Sequence, residues 1–296
     1  MLRTNKDKLV KISVIGEVVS PVIGAAIYRV SANGEPAILP GVGGITYNIR
    51  VGDPACGWMA DHVEPGVSLE NRDKDTRIPQ GQSRALNVLS CIGNEAQVVK
   101  GDAKGEKGIV VGKHGGIEHV MVDFPTDVME KLVIEDRVMV KAFGVGLKLL
   151  DIPDVNVFNT DPDFLDKLNP KIVNGMLEVP VTHKVPAAIM GSGLGSPQVA
   201  SGDYDITLFD EKTVNEYGLE DLRFGDLVAI INADTSYGPI FRTGAITVGI
   251  VVHSNCVLAG HGPGVATLFT STMGKIKPVI DENANIAHIL KLRDDL

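Results

Sequence analysis

The chain has 296 residues, 33 of them glycine, aromatics at only 5% and a formal net charge of −9; that length suffices for two or three domains with a sizeable core. An acidic balance with interspersed charges repels nucleic acid overall and disfavours it as a partner, although a local basic patch remains able to bind it. No apolar run approaches the ~18 residues of a membrane span, the N-terminal MLRTNKDKLVKISV lacks the apolar core of a signal peptide, and Cys56, Cys91 and Cys256 have no paired spacing. Reduced thiols in a soluble, cytoplasmic protein are therefore expected.

The first hundred residues read as strands and loops. Apolar runs at Leu9–Ile15, Ala25–Val30 and Gly44–Val51 are separated by Gly, Pro and Asn, and Asn33-Gly34 is a hairpin signal. Glu70–Gln82 is almost devoid of apolar residues and reads as a solvated loop. A short helix is expected at Ser83–Ile92. Strands return from Ala96 to Phe124. Short helices then fit Asp127–Leu132 with Thr126 as N-cap, and Asp163–Leu168 with Asp161 as cap and Pro162 at the first position. Glu211–Tyr217 lies between an Asp210 cap and a Gly218 stop, and Ala284–Leu292 fits a last helix. Leu132–Val140 echoes Leu222–Ile230, each with an Asp in a turn before an alternating strand. The echo fits either common turn grammar, Asp capping through its own backbone, or duplicated barrel modules.

Glycine, Val and Ile at this density favour short strands and tight turns. The expected fold is mainly β, several small barrel or sandwich modules with a few short helices. Three modules are expected: 1–95, 96–150 as a small SH3-like barrel, and 151–296 carrying the glycine-rich loops.

Chemistry concentrates in a few segments. Asp61, His62 and Glu64 crowd one loop before Pro65-Gly66. Asp203 and Asp205 are two apart, which on a strand turns both to one face. His253 and His261 lie close in sequence, with His261 between glycines. Carboxylates and imidazoles meeting in one pocket suit a divalent cation such as Zn²⁺ or Mn²⁺, with Asp203, Asp205, His261, Asp61 and His62 as ligands. Taken singly, each also fits a turn-capping Asp or a hydrogen-bonded loop His; only the clustering points to a site, and no established ligand spacing is present. Gly191, Gly193 and Gly195 alternate in MGSGLG and could turn backbone N–H groups toward an anion, with Ser192 as a nucleophile if a base reaches it. His114 and His119 read as structural or rim residues.

Val98–Val111 resembles the KOW motif of small SH3-like barrels, with Gly101, Lys104, Gly105, Gly108 and Val110 in the matching positions. That resemblance implies a tight two-stranded loop that often touches RNA. Over nearly the whole chain, GVGGITYN, DHVEPGVS, SCIGNEA, MGSGLG, SGDYDI, LRFGD and GHGPG resemble a bacterial and archaeal family catalogued only as a domain of unknown function. It implies a mainly β fold and brings no activity. Gly202–Ile206 and His261 with its glycines are loosely similar to acetamidase/formamidase, β-rich metal-dependent amide hydrolases, although the intervening lengths differ.

Three functions are therefore expected to compete. The first is a metal-dependent hydrolase of a small C–N or ester bond, with His253 or Glu64 as general base and Gly191–Gly195 steadying an oxyanion. The second is an RNA- or ribosome-associated binder using Lys100, Lys104, Lys107 and Lys113. The third is a non-catalytic small-molecule-binding homo-oligomer. A small-molecule ligand and homo-oligomeric assembly are the expected partners, without a membrane.

Overall fold

The protein is described from a computed structural model covering residues 2–23, 26–73, 78 and 80–296. Ala25 and the centre of the charged Glu70–Gln82 loop lie outside the described residues.

Six antiparallel strands close into a barrel. In spatial order they are Ile12–Val18, Arg137–Ala142, Glu95–Lys100, Lys107–His114, His119–Asp123 and Gly66–Glu70, which pairs back onto Ile12–Val18. Arg137–Ala142 shows why these residues form a barrel wall. Its side chains alternate between half-buried and buried, turning Val138, Val140 and Ala142 inward as a two-residue period demands. Val67, Leu69, Ala96, Val98, Val110, Val120 and Val122 meet the two valines in one core, each fully buried Val contributing roughly 1.5–3 kcal/mol. Strands from both sides of the 95/96 position make the barrel, which runs from residue 12 to 142. The KOW-like hairpin is one of its corners, with Gly101 and Gly105 at positive φ.

The second unit is an open six-stranded sheet. Asn156–Val157, Gly264–Ser271, Ile240–His253, Leu227–Asp234 and His183–Pro186 lie side by side, and Tyr204–Asp205 pairs with the start of Gly264–Ser271. Gly264–Ser271 is buried throughout, as expected of a strand covered on both faces. A three-stranded sheet (Lys171–Val173, Met176–Val181, Ile276–Ile280), the hairpin Arg29–Val30/Pro36–Ala37 and the short strand Ile45–Thr46, which pairs with Gly66–Glu70, complete the described strands. The hairpin turns through Asn33-Gly34 as expected, with Gly34 at φ 84°.

Helices are short. Asp161 caps Pro162–Leu168 by accepting from the N–H groups of Asp163 and Phe164, and Asp210 and Gly218 bound Glu211–Tyr217. The helix expected at Asp127–Leu132 is shifted: it spans Thr126–Met129 after Pro125, and the Thr126 side chain does not cap it. The two echoing segments share a turn, in which Asp136 accepts from the Val133 N–H and Asp226 from the Arg223 N–H. One leads into the barrel and the other into the open sheet, so the echo is turn grammar.

Barrel and sheet are packed together. Val111 and Met121 on the outside of the barrel join Val251, Val252 and Val265 in the larger core. Gly112 makes the approach possible: a Cβ there would lie 2.7 Å from Met121 and 2.8 Å from Val252. One residue beyond Val252 and two beyond Gly112, both strands end in histidines, His253 and His114. The site grows from that meeting.

Candidate metal centre

His114 and His253 stand with ring centroids 4.3 Å apart, and His62 lies 5.8 Å from the first and 5.0 Å from the second. His261 meets His62 edge-on at 5.2 Å. Carboxylates reach the same space from two loops. Asp61 Oδ1 is 3.1 Å from His62 Nδ1, Asp203 Oδ2 is 2.9 Å from His253 Nε2, and Asp205 lies 3.4 Å from His253 Nε2 and 3.7 Å from His62 Nε2. Among the described residues, three sets of donors have their ligand atoms mutually within 4.8 Å: Asp61–His62–Cys256, His62–Asp205–His253 and His114–Asp203–His253. Beside them opens a cavity of about 370 Å³ lined by His62, His114, Ser192, Asp203, Asp205 and His261 among others.

The histidines are oriented from behind. Glu64, fully buried, accepts from His114 Nδ1 at 2.6 Å and from His119 Nδ1 at 2.9 Å. It also accepts from the Ser68 hydroxyl and the Gly43 N–H. His114 therefore offers Nε2 to the site, the arrangement in which a carboxylate fixes the ring of a metal-binding histidine. His253 is held likewise, its Nδ1–H donating to the Ser254 carbonyl at 3.0 Å. Register shifts between Val251 and His253 aim it where the strand meets Gly264, as bulges do near functional sites.

Gly264 must lack a side chain, because a Cβ there would collide with Asp203 Oδ2 and His253 Nε2. Gly202 packs so closely on Gly115 that an added Cβ would lie 2.5 Å from the Gly115 Cα, and Asp203 accepts from the Gly115 N–H at 2.7 Å. His62 adopts φ 56°, an uncommon conformation for a residue with a Cβ and one that recurs at functional positions.

The field favours positive charge. Burial opposes charge on His253, yet Asp203 and Asp205 outweigh it and lift its pKa well above the ordinary value. Burial likewise opposes charge on His62, and Asp205 and Asp61 still raise it to about 10. Against burial, His114 and His119 hold Glu64 far below the usual carboxylate range, and His253 and His62 do the same for Asp205. Asp61 sits at about 2: His62 and Cys256 outweigh its burial, and Arg29 adds an ion pair at 3.0 Å.

Several expected roles change. Glu64, expected as a general base, is sealed behind the histidines and accepts from His114, His119, Ser68 and Gly43, a placement that suits a positioning group. His253, expected as a base, is fully buried and faces two carboxylates as a ligand would. His114, read from sequence as structural or rim, belongs to the centre, and Cys256 joins it through a contact of 2.7 Å with Asp61. The expected anion cradle is largely occupied: the N–H groups of Gly191 and Gly195 donate to the Asp205 and Pro239 carbonyls. Gly193 lines the cavity. Ser192 lines it too, but among the described residues its hydroxyl bonds to no imidazole. Lys113, placed on an RNA-facing surface by the sequence, is fully buried. Spacing alone carried no signal for His114 or Cys256; for His114, position at a strand end beside Gly115 and Gly116 was the available clue.

A closed barrel packed on an open sheet, with imidazoles and carboxylates at the seam, defines the class of protein. Family models for a domain of unknown function, DUF4438, match residues 28–166 (N-terminal) and 167–290 (C-terminal); the chain belongs to this family. The crystal structure of TM1086 is similar at 49% identity and a TM-score of 0.90, over 97% of this chain and 98% of that one. No curated protein matches. No described helix is long and apolar enough to cross a membrane.

Proposed function

We propose that the protein is a metal-dependent hydrolase of a small C–N or ester bond, with one divalent cation held by His114, His253 and Asp203 and completed by Asp205. One observation carries the reading. Asp203 Oδ2 and His253 Nε2 are buried and meet at 2.9 Å as an ion pair that lacks hydrogen-bond geometry, and among the described residues neither atom has a hydrogen-bond partner. Orphaned buried polar atoms are costly, by about 1–3 kcal/mol each, and a shared cation satisfies both at once. Two imidazole nitrogens with carboxylate oxygens are a donor set for Zn²⁺ or Mn²⁺.

Such a cation lowers the pKa of water and polarises a carbonyl. The chain supplies the rest. Glu64 and the Ser254 carbonyl hold the two imidazoles in fixed tautomers. His261 lines the cavity, and its Nδ1 is engaged by the Ala259 carbonyl at 3.1 Å. Its Nε2 is thereby left to carry a proton between water and leaving group. The similarity to acetamidase/formamidase supports amides as the first substrates to assay. A cytoplasmic setting, which keeps thiols reduced, fits the same reading. The exposed apolar residues around the hairpin arm support a homo-oligomer.

The test is metal content and turnover together. Protein purified without a histidine tag and loaded with Zn²⁺ or Mn²⁺ should hold the ion and cleave members of an amide and ester panel. Asp203→Ala and His253→Ala should lose both while circular dichroism shows an unchanged fold. Full activity after exhaustive chelation would discard the reading.

A further inference from the structure

We propose that Asp61, His62 and Cys256 form a second cation site with a thiolate ligand, so that the seam between barrel and sheet holds two ions. Cys256 Sγ lies 2.7 Å from Asp61 Oδ1, and the same oxygen lies 3.1 Å from His62 Nδ1. All three residues are buried, and their donor atoms fall within 4.8 Å of one another. A tetrahedral ion with bonds of about 2.0–2.3 Å separates its ligands by about 3.3–3.8 Å. The three donors thus need to spread by less than about 1 Å to admit one.

Two further observations point to a ligand rather than a simple thiol–carboxylate hydrogen bond. The Leu258 N–H donates to Cys256 Sγ at 3.2 Å, which stabilises negative charge on sulfur. His62 faces the two sites with different nitrogens, Nδ1 toward Asp61 and Nε2 toward Asp205 at 3.7 Å. With Nδ1 on the second ion, its Nε2–H points at a carboxylate of the first, and one imidazole links the pair. This also gives its φ of 56° a purpose.

Arg29 holds the other oxygen of Asp61, at 3.0 Å from Oδ2, and leaves Oδ1 for the ion. Asp61 and Arg29 also line a separate cavity with Val22, Ile27 and Ile38, so the second site borders a different space from the first. The donor set is softer than His114–Asp203–His253, and the thiolate favours Zn²⁺ or Co²⁺ over Mn²⁺. Binding transfers the thiol proton to solvent.

The inference stands beside the hydrolase reading, and Co²⁺ separates the two. Titrating metal-free protein with Co²⁺ should bind two equivalents per chain, one of them bringing a near-ultraviolet thiolate-to-cobalt charge-transfer band. Cys256→Ser should abolish the band and leave one equivalent. Asp203→Ala should also leave one equivalent, with the band intact. Asp61→Asn, checked by circular dichroism like the others, should weaken the band-forming equivalent at least tenfold and guards against a misfolded serine variant. A single equivalent with no such band in the wild type overturns the second site, whatever the turnover. The band without turnover on the amide and ester panel sinks the hydrolase reading and leaves this site standing.

Discussion

Lys113 carries an ammonium into the interior, where among the described residues its hydrogen bonds go to carbonyl oxygens: Asn159 Oδ1 at 2.9 Å, Ala200 at 2.8 Å and Val88 at 3.4 Å. Burial pulls its pKa from 10.5 down to about 8. Below pH 8 the amine is protonated in both folded and unfolded chains, and the cost of burying the charge is felt in full. Between pH 8 and 10.5 the folded amine is neutral while the unfolded one still binds a proton, so stability rises, by roughly 3 kcal/mol in total. The urea midpoint of the wild type should therefore climb over that window relative to Lys113→Met; parallel pH profiles for the two proteins would refute the assignment. Glu64 yields a second prediction. Glu64→Gln keeps every proposed ligand but removes the charge behind His114 and His119. Calorimetry should then show metal affinity reduced by about 10–100-fold. An unchanged affinity would mean the ring needs no such support.

The strand Gly264–Ser271 matters to the centre through what its first residue lacks. Gly264 pairs with Asp205 on one side and His253 on the other, so a methyl group there enters the space between Asp203 and His253. Gly264→Ala should abolish binding at the His114–Asp203–His253 site while leaving the far-ultraviolet circular dichroism unchanged, because the collision is with side chains at a strand end. Retention of that ion in the variant would show that it binds elsewhere. The shift of the Asp127–Leu132 helix has an equally local cause: Pro125 takes the capping position, and a proline before the helix leaves Thr126 inside its first turn.

On the scale of the whole molecule, the centre is a cross-link. His62 and His114 come with the barrel, and Asp203, Asp205 and His253 with the open sheet, so a bound ion ties the two together. At a free metal concentration 100 times Kd, binding adds about 2.7 kcal/mol of stability, which for a chain of this size raises Tm by about 5–10 °C. Calorimetric scans with and without chelator measure it, and identical melting temperatures would rule out a resident ion. Ile23, Ile27, Tyr28, Val30 and Ile38 around the hairpin arm are all more than half exposed. Apolar residues gathered in this way mark association surfaces. Sedimentation velocity should find an oligomer that Ile27→Lys dissociates; a monomer at high concentration would exclude that contact.

Local order was legible in the sequence because its causes are local. Asp161 with Pro162, Asp210 with Gly218, and Asn33-Gly34 act over three or four residues, and two-residue alternation marks a strand wherever it lies. The acidic and imidazole segments were legible as chemistry for the same reason: side-chain type needs no context. Closure of the barrel was not, since Ile12–Val18 finds Gly66–Glu70 across about fifty residues and no local pattern encodes that pairing. Nor were the roles. Whether Glu64 faces solvent or the back of His114, and whether Cys256 meets Asp61 or stays alone, depends on which strand ends are brought side by side. Distance, burial and orientation turn a carboxylate into a base, a ligand or a support, and these exist only once barrel and sheet have packed.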